Sequence, residues 1–236
     1  VRLGLKAPAV FIPQRNLDGY GLSRRGITEL HQKGVSLLVS ADCGINAHEA
    51  VDYALSLGLD VIVTDHHEPE DKLPPALAIL NPKQPGCAFQ GEDLCGAGVI
   101  FHLIVALRSE LRRRGRTELP NLRQDLDLVA LATVADVVAL SGQNRILVKE
   151  GLNVMNSLGC PGTTALARSA GIRHGILARD LNFALGPRLN AAGRVADAYK
   201  AFELMISEDF GRACGLAGEL DQLNRQRRIQ EDKVLK

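Results

Sequence analysis

The sequence predicts an α/β fold in which helices cover both faces of a parallel sheet, followed by a mainly helical half and a long connecting helix. Three observations predict it. Short β-rich runs alternate with helical patterns in the first half, continuous apolar runs mark the strands, and the second half is helical almost throughout. Of the 236 residues, 46% are hydrophobic and 23% are charged, which is typical of a folded globular protein, so most of the chain is expected to be ordered.

Four short runs rich in apolar and β-branched residues are predicted as strands. Two of them contain the continuous apolar segments Leu37-Leu38-Val39 and Val61-Ile62-Val63, which are typical of strands buried on both faces of a sheet. These two strands are therefore expected to be central. The four predicted strands are Ala9–Ile12, Ser36–Ser40, Asp60–Thr64 and Leu77–Leu80.

Two helices are predicted between these strands. The first, Arg24–Lys33, begins after the N-cap residue Ser23 and ends at Gly34, since serine caps helix starts and glycine helix ends. The second, Ala47–Leu57, ends at Gly58 and has one apolar face. A strand, a helix and a parallel strand in succession form a βαβ unit, in which the carboxyl ends of both strands lie at the same edge of the sheet.

After a connection rich in proline and glycine, the pattern becomes helical. From about Asp209 a polar, charged helix is predicted to extend to Lys236. We expect residues 1–207 to form one domain, and residues 208–236 to begin a helix that leads into another. The remaining helices are predicted at Ala97–Arg114, Leu122–Val138, Arg145–Ser157, Thr164–Ala170 and Ala196–Ile206.

Composition excludes several classes of protein. No apolar run approaches the roughly 20 residues of a membrane-spanning helix, and the N-terminus lacks a signal-peptide pattern, so we expect a cytoplasmic protein with no membrane partner. The five cysteines are scattered and never spaced as Cys-x-x-Cys, which argues against a disulfide framework and a zinc cluster. A net charge of +1 and the absence of tryptophan give no global case for nucleic-acid binding, so any contact with DNA is expected to be local.

Carboxylate and imidazole side chains follow two of the predicted strands. Asp42 comes after the second strand, and Asp65, His66 and His67 come directly after the third. Because parallel strands end at the same edge, these side chains are expected to converge in the crevice where such sheets bind ligands. Mixed carboxylate and imidazole ligands suit Mn²⁺, or Mg²⁺ with less nitrogen ligation. The alternative is that both aspartates cap the following turns while the histidines lie in solvent.

A further carboxylate, Asp136, interrupts the almost wholly apolar run Leu128–Leu140. A buried lone carboxylate is unfavourable unless it is paired, hydrogen-bonded or bound to a metal. Asp136 is therefore a candidate metal ligand. The alternative is a hydrogen-bonded aspartate at a helix end.

A segment of small residues, Gly186-Pro-Arg-Leu-Asn-Ala-Ala-Gly-Arg194, leaves room for a phosphate to approach the backbone. Guanidinium groups bind phosphate oxygens in a bidentate manner. The alternative is a structural turn with two surface arginines. Arg15 and Tyr20, which follow the first predicted strand, equally suit phosphate binding or the ordering of their loop. The candidate phosphate ligands of the small-residue segment are Arg188, Asn190 and Arg194.

Taken together, the motifs resemble the DHH phosphoesterase superfamily, and within it the RecJ family of single-stranded-DNA exonucleases. They occur in the family's order over nearly the whole chain. Ile12-Pro-Gln-Arg15 and Gly19-Tyr-Gly21 favour RecJ over the superfamily's pyrophosphatases and small oligonucleotide hydrolases. The four main motifs are Asp42-Cys-Gly44, Thr64-Asp-His-His-Glu68, Thr133-Val-Ala-Asp136 and Gly186-Pro-Arg-Leu-Asn-Ala-Ala-Gly-Arg194.

The resemblance implies a two-metal site for Mn²⁺ or Mg²⁺. Under it, Asp42 bridges two metal ions, and His66 and Asp136 complete one of them. His67 faces the scissile phosphate, and Asp65 supports the ligands without contacting a metal. The resemblance also makes Arg188, Asn190 and Arg194 candidates for holding the substrate backbone.

The implied activity is stepwise 5′-to-3′ hydrolysis of phosphodiester bonds in single-stranded DNA, in repair and recombination. The implied partners are single-stranded DNA and either a single-strand-binding protein or a helicase, with the protein itself a monomer. Two alternatives stay open. One is another superfamily enzyme, acting on a dinucleotide or a pyrophosphate, and the other is a catalytically inactive DNA-binding relative.

One departure from the family concerns the metal site. The family carries an Asp-x-Asp motif after its first strand, and no such motif occurs near the start of this sequence. The family also continues from the connecting helix into a DHH-associated domain that helps to clamp single-stranded DNA. The chain is therefore expected to be a fragment with an incomplete two-metal site and weak or no activity.

Overall fold

The structure, a computed structural model, describes residues 2–89, 93–157, 159–195 and 198–234. The side chains of residues 194, 195 and 234 also lie outside this description. The chain divides into two compact units, Val1–Leu122 and Arg123–Lys236. Each unit has its own hydrophobic core.

The first unit is built on a parallel three-stranded sheet, in the order β1 (Leu37–Val39), β2 (Asp60–Thr64) and β3 (Ala78–Leu80). Leu38 of β1 pairs with Val61 of β2, and Ile62 of β2 pairs with Ala78 of β3. The predicted α/β class with a parallel sheet is confirmed. The elements of this unit are α1 (Arg15–Asp18), α2 (Arg24–Gln32), β1 (Leu37–Val39), α3 (His48–Ser56), β2 (Asp60–Thr64), β3 (Ala78–Leu80) and α4 (Gly96–Arg113).

The two predicted inter-strand helices are confirmed, with ends shifted by at most one residue. The Ser23 side chain accepts a hydrogen bond from the Gly26 N–H at 3.1 Å, as expected of an N-cap. Gly34 has a φ of 76° and Gly58 a φ of 80°, the left-handed conformation that glycine adopts after helix ends. The core of this unit consists of Ile27, Leu30, Leu38, Val51, Ala54, Leu59, Val61 and Val63.

Two predictions about strands were wrong. Residues 9–12 form no strand; their apolar character reflects Phe11, whose ring lies so close to α2 that a Cβ on Gly26 would stand 2.4 Å from it. The second error concerns β1, which was expected to be central. Within the described residues β1 pairs only with β2, and Leu37 and Val39 are each 47% exposed. Only β2 has the central position that its continuous apolar run predicted.

In its described residues, the second unit contains helices, turns and loops but no strand. Its helices pack closely where glycines allow it: a Cβ on Gly151 of α6 (Gly142–Ser157) would stand 2.2 Å from the Leu126 carbonyl oxygen of α5 (Leu126–Ala135). Leu166, Leu181, Leu185 and Leu204 lie fully buried in the core. The elements are a 3₁₀ turn (Leu122–Asp125), α5 (Leu126–Ala135), α6 (Gly142–Ser157), α7 (Pro161–Ser169), α8 (Ala178–Asp180), a π-helical turn (Leu181–Leu185), α9 (Gly186–Val195), α10 (Tyr199–Met205) and α11 (Phe210–Val234).

The structural turn considered as an alternative for residues 186–194 is absent, because these residues form α9. The Gly186 N–H donates to the Leu181 carbonyl, five residues back, and Pro187, which has no N–H, follows. A π-helical turn is a common way to accommodate such a residue without ending the helix. Glycine and proline therefore indicated a turn where the chain remains helical.

The long polar helix predicted from about Asp209 is confirmed as α11. No described helix is both long enough and apolar enough to cross a membrane. Residues 196–197, at the start of the helix predicted at Ala196–Ile206, lie outside the described residues, and the described part of that prediction forms α10.

Candidate metal centre

The chain turns sharply after β1, and this turn positions Asp42. The Asp42 N–H donates to the Thr64 carbonyl at the end of β2, at 3.0 Å, and Cys43 forms an isolated antiparallel bridge with Thr64. Asp42 has a positive φ of 63°, which costs a non-glycine residue about 1–2 kcal/mol. Strained backbone of this kind is concentrated at functional sites.

Gly96, the first residue of α4, lies directly against Asp42. A Cβ on Gly96 would stand 2.3 Å from Asp42 Oδ1 and 2.5 Å from Asp42 Cβ. Only glycine therefore fits at this position without movement of the Asp42 turn. The N-terminal end of α4, where the helix dipole is positive, thus lies beside the Asp42 carboxylate.

Asp65 follows β2 and is 1% exposed. Its Oδ2 accepts from the Ile45 N–H at 3.0 Å, and its Oδ1 accepts from the His66 N–H at 2.8 Å and contacts His67 Nδ1 at 2.6 Å. Burial raises the pKa of Asp65, but the hydrogen bonds, led by that from Ile45, outweigh it and bring the pKa below its usual value. Asp65 is therefore an ionised, buried acceptor that orients both histidines.

His66 and His67 bring two imidazole rings to the Asp42 carboxylate. His66 Nε2 lies 3.0 Å from Asp42 Oδ1. One ligand atom from each of Asp42, His66 and His67 lies within 4.8 Å of the others. A divalent ion such as zinc holds its oxygen and nitrogen ligands at about 2.0–2.2 Å, so two ligands of one ion are at most about 4.4 Å apart. The three atoms are thus close to the spacing of a single metal site.

His67 is held at several points. Because an ionised carboxylate only accepts hydrogen bonds, His67 Nδ1 carries the hydrogen and donates to Asp65. This leaves Nε2 for a ligand, as in the carboxylate–histidine pairs that support metal sites.

Two asparagines that no sequence motif singled out also fix this region. Asn81 donates to the His67 carbonyl at 2.9 Å, and Asn46 bonds both the Glu68 carbonyl and the Glu70 N–H.

The side chains around this cluster fit a divalent metal of intermediate hardness. Burial raises the pKa of the neighbouring Cys43 thiol to about 11, with the charges of Asp65 and Asp42 adding to the effect. Cys43 is therefore a neutral thiol when no metal is bound, and it is not among the three residues whose ligand atoms converge. One carboxylate and two imidazoles remain, a set that suits Mn²⁺, whereas Mg²⁺ favours more oxygen ligands.

Tyr20 and Arg15 lie beside the cluster. The Tyr20 hydroxyl donates to the Asp42 carbonyl at 2.7 Å, and its ring stands edge-on to His67 with centroids 6.0 Å apart. Burial, followed by the nearby acidic groups, raises the pKa of Tyr20 to about 12, although Arg15 acts in the opposite direction. Tyr20 thus stabilises the Asp42 turn as a neutral phenol, and Arg15 is exposed close to it.

An open cavity of about 970 Å³ borders Tyr20 and His67. It is as large as cavities that hold whole small molecules. Arg24 and Arg25 line it, but Arg25 binds Asp18, with Nε donating to Oδ1 at 2.7 Å and Nη2 contacting Oδ2. This ion pair lowers the pKa of Asp18 to about 2. The cavity therefore presents a partly neutralised basic wall beside His67.

Asp136 lies in the second unit, at the end of α5, and is exposed. The expectation that it is buried was wrong, because α5 ends at Ala135 and the chain turns towards solvent. Val137 has a φ of 59°, which is unusual for a β-branched residue. In the described ranges, Asp42 and Val137 are the non-glycine residues with positive φ. Backbone strain thus occurs at the predicted metal ligand Asp42 and directly after the predicted ligand Asp136. Metal binding by Asp136 stays a prediction.

Arg188, a predicted phosphate ligand, contacts protein groups in this structure, and its binding of phosphate stays a prediction. Its Nε and Nη2 lie 2.9 and 2.8 Å from Asp221 Oδ1, and its Nη1 donates to the Ala184 carbonyl at 2.7 Å. Asp221 is 6% exposed and also binds Arg225 at 2.7 Å. A buried carboxylate on α11 requires a cation, and Arg188 supplies it. Arg188 therefore joins α9 to α11.

The other two residues of this segment differ in position. Asn190 is exposed on α9 and borders a small cavity. The Arg194 side chain lies outside the described residues. The participation of both residues in phosphate binding stays a prediction.

Comparison with known proteins places this geometry in a family. Residues 4–133 match the DHH family, N-terminal domain. The single-stranded-DNA-specific exonuclease RecJ of Escherichia coli (strain K12) is 46% identical over 233 residues, which are 96% of this chain and 40% of that protein.

Two crystal structures are also similar. One, of exonuclease RecJ bound to manganese, has a TM-score of 0.84 and 38% identity, and the match covers 95% of this chain and 55% of that one. The other, of RecJ from Thermus thermophilus in complex with Mn²⁺, has a TM-score of 0.78 and 38% identity, covering 89% of this chain and 30% of that one.

The chain spans about 40% of the length of the Escherichia coli relative. The family match covers more than half of the chain and includes Asp42, Asp65, His66 and His67. The chain therefore belongs to the DHH family.

Proposed function

We propose that the chain forms part of a metal-dependent exonuclease that removes nucleotides stepwise, 5′ to 3′, from single-stranded DNA in repair and recombination. The observation that carries this proposal is the cluster of Asp42, His66 and His67, whose ligand atoms lie within 4.8 Å of one another at the carboxyl edge of a parallel sheet. The similarity to RecJ exonucleases supports the choice of substrate.

In this proposal Asp42 and His66 are metal ligands, Asp42 bridges two ions, and Asp136 completes one site. Bound Mn²⁺ or Mg²⁺ would lower the pKa of the attacking water and offset negative charge on the phosphate. Asp65 accepts from His67 Nδ1 and so directs Nε2 outward to the scissile phosphate.

The substrate backbone is held by other residues of the chain. We assign Arg15 and Tyr20, beside the cluster, and Arg188, Asn190 and Arg194, on α9, to contacts with phosphate oxygens. Arg188 also joins α9 to α11 through its ion pair with Asp221. Preorganised donors of this kind stabilise charge that develops in the transition state.

We further propose a cytoplasmic monomer that acts on single strands exposed by a helicase or held by a single-strand-binding protein. We divide the chain into a DHH domain, residues 1–207, and a connecting helix that begins within residues 208–236. The uninterrupted helix α11 supports the second part of this division.

The test uses four substrates with Mn²⁺: a 5′-labelled single-stranded oligonucleotide, the same strand in a duplex, a dinucleotide and pyrophosphate. The protein is assayed both as this chain and together with the native sequence that flanks it. We expect degradation of the single strand from its 5′ end when the flanking sequence is included, and weak or no degradation by this chain alone. Preference for the dinucleotide or pyrophosphate would favour the other superfamily activity, and binding without hydrolysis would indicate an inactive relative.

Variants connect this activity to the cluster. Asp42→Asn and His66→Gln are expected to abolish hydrolysis and weaken Mn²⁺ binding measured by calorimetry. His31→Gln, on the exposed face of α2, is the matched control and is expected to change neither. Unchanged Mn²⁺ affinity in both cluster variants would contradict the assignment of the ligands.

A further inference from the structure

A small polar cavity lies between α9 and α11 in the second unit. It has a volume of about 190 Å³, and its polar side chains are those of Asn182, Asn190 and Arg227. Pockets that enclose whole small molecules measure about 300–1,000 Å³. The cavity is therefore of a size to hold a single chemical group, such as one phosphate, and not a whole nucleotide.

Arg227 is the unusual residue of this cavity. Its side chain is 22% exposed, and its Nε is buried without a hydrogen-bond partner in the part of the chain that the structure describes. Nη1 donates to Glu231 at 2.6 Å, and Nη2 makes a long contact of 3.4 Å with Asn224. A buried polar atom without a partner costs about 1–3 kcal/mol, and more in a charged group, so such an atom usually has a ligand or a structural reason.

The lining of the cavity favours an anion. A guanidinium group only donates hydrogen bonds, and each asparagine amide adds two donors. No acidic residue is among the lining residues of the described chain. Glu231, which pairs with Arg227, is 51% exposed and engages Nη1. The Nε donor is therefore left for a ligand. An oxygen-rich anion would satisfy these donors together.

Two residues that line the cavity belong to, or directly precede, predicted site residues of the same unit. Asn190 belongs to the segment to which we assign phosphate contacts, and Ala135, which also lines the cavity, directly precedes Asp136. Gly186 allows this arrangement, because a Cβ on it would stand 3.2 Å from the Ala135 Cβ.

We propose that Arg227, with Asn182 and Asn190, binds one phosphodiester group of single-stranded DNA. This inference rests on the proposed function and adds to it a binding residue on α11. In the sequence, nothing around Arg227 separates it from Arg225 and Arg228 on the same polar helix.

The experiment measures the affinity for a fluorescent single-stranded oligonucleotide by anisotropy, without divalent metal, over a range of salt concentrations. Each phosphate contact on a single strand contributes about −0.7 to the slope of log K against log salt. Arg227→Gln is therefore expected to reduce the slope by about 0.7, and to weaken binding about tenfold at fixed salt, as for the loss of one charged hydrogen bond.

Arg228→Gln is the matched control, because it removes the same charge from the adjacent, exposed position of α11. We expect its slope to equal that of the parent. Equal slopes for the two variants would overturn the inference, and so would a loss of thermal stability in Arg227→Gln without a change of slope. If Arg227→Gln does not fold, Arg227→Lys is compared with Arg228→Lys. The Arg227 variant is then expected to bind about tenfold more weakly, and equal affinities would overturn the inference.

Hydrolysis of the same oligonucleotide with Mn²⁺ separates this inference from the proposed function. Hydrolysis with no effect of Arg227 on the slope refutes the inference alone. Binding that depends on Arg227, without hydrolysis even when the flanking native sequence is included, supports the inference and refutes the proposed function. Absence of binding by the parent protein refutes both.

Discussion

The close contact between Gly96 and Asp42 allows the metal cluster to be perturbed by a single methyl group. Gly96→Ala places a Cβ 2.3 Å from Asp42 Oδ1 and 2.5 Å from Asp42 Cβ, whereas Cβ contacts under 3.0 Å essentially never occur. The carboxylate must therefore recede by about 0.7 Å. Rotation of the Asp42 side chain does not relieve the contact with its own Cβ, so the turn after β1 must move as well.

This movement is expected to affect the metal site more than the fold. Overpacking lowers the unfolding free energy by about 1–3 kcal/mol, and the change from glycine to alanine within a helix raises it by about 1 kcal/mol. The net loss in unfolding free energy is therefore expected to be at most about 2 kcal/mol. A catalytic group displaced by about 1 Å, however, can lower the rate about 100-fold. The Asp42 carboxylate, 3.0 Å from His66 Nε2, is displaced by a similar distance.

The matched control is Gly98→Ala, in the same turn of α4. A Cβ there would meet Leu94 at 3.4 Å, an ordinary van der Waals contact. Mn²⁺ affinity is measured by calorimetry, hydrolysis with the labelled single strand, and stability by urea titration. We expect Gly98→Ala to match the parent in Mn²⁺ affinity and in hydrolysis. Gly96→Ala is expected to lose both Mn²⁺ binding and hydrolysis. Equal Mn²⁺ affinity and rate in the two variants would refute the reasoning.

Three further predictions concern stability. The folded-state pKa of Asp18, about 2, lies below its ordinary value of 3.8. The stabilisation that ionised Asp18 adds to the unfolding free energy is therefore complete above pH 3.8 and is lost as pH falls towards 2. Urea titrations at pH 5 and pH 2.5 are expected to show a smaller loss of unfolding free energy in Asp18→Asn than in the parent, and an equal loss would contradict this. Asp221→Ala leaves the partly buried Arg188 without its carboxylate and is expected to cost about 3–5 kcal/mol, against less than about 1 kcal/mol for Glu219→Ala in an exposed ion pair; similar costs would argue against a stabilising role of the Arg188–Asp221 pair. Val137→Asn is expected to raise the unfolding free energy by about 1 kcal/mol, because Val137 has a positive φ and is 77% exposed, and asparagine adopts this conformation more readily; a lower melting temperature would contradict it.

The part of the fold that the sequence could predict is the part governed by local patterns. The apolar run of β2 identified the central strand, and Asp65, His66 and His67 follow it directly in sequence. The N-cap at Ser23 and the glycine at Gly34 likewise gave the ends of α2 to within one residue. These features depend on residues that are near one another along the chain.

The rest depends on contacts between distant residues. Apolar residues near Phe11 gave the same signal as a strand, although Phe11 packs on α2. The partner of Arg188 is Asp221, 33 positions away, and no local sequence pattern predicts that pairing. The positive φ of Asp42 is also set by the turn, the bridge to Thr64 and the approach of Gly96, which only the folded chain brings together.

The ion pair between Arg188 and Asp221 has a mechanical consequence. From Asp221 to Val234, α11 continues for 13 residues, or about 20 Å at 1.5 Å per residue. A helix of this length acts as a stiff lever, so a tilt of about 5° at the ion pair displaces its far end by about 1.7 Å. Conversely, a load applied at the end of α11 is transmitted as torque to α9, and so to the position of Asn190.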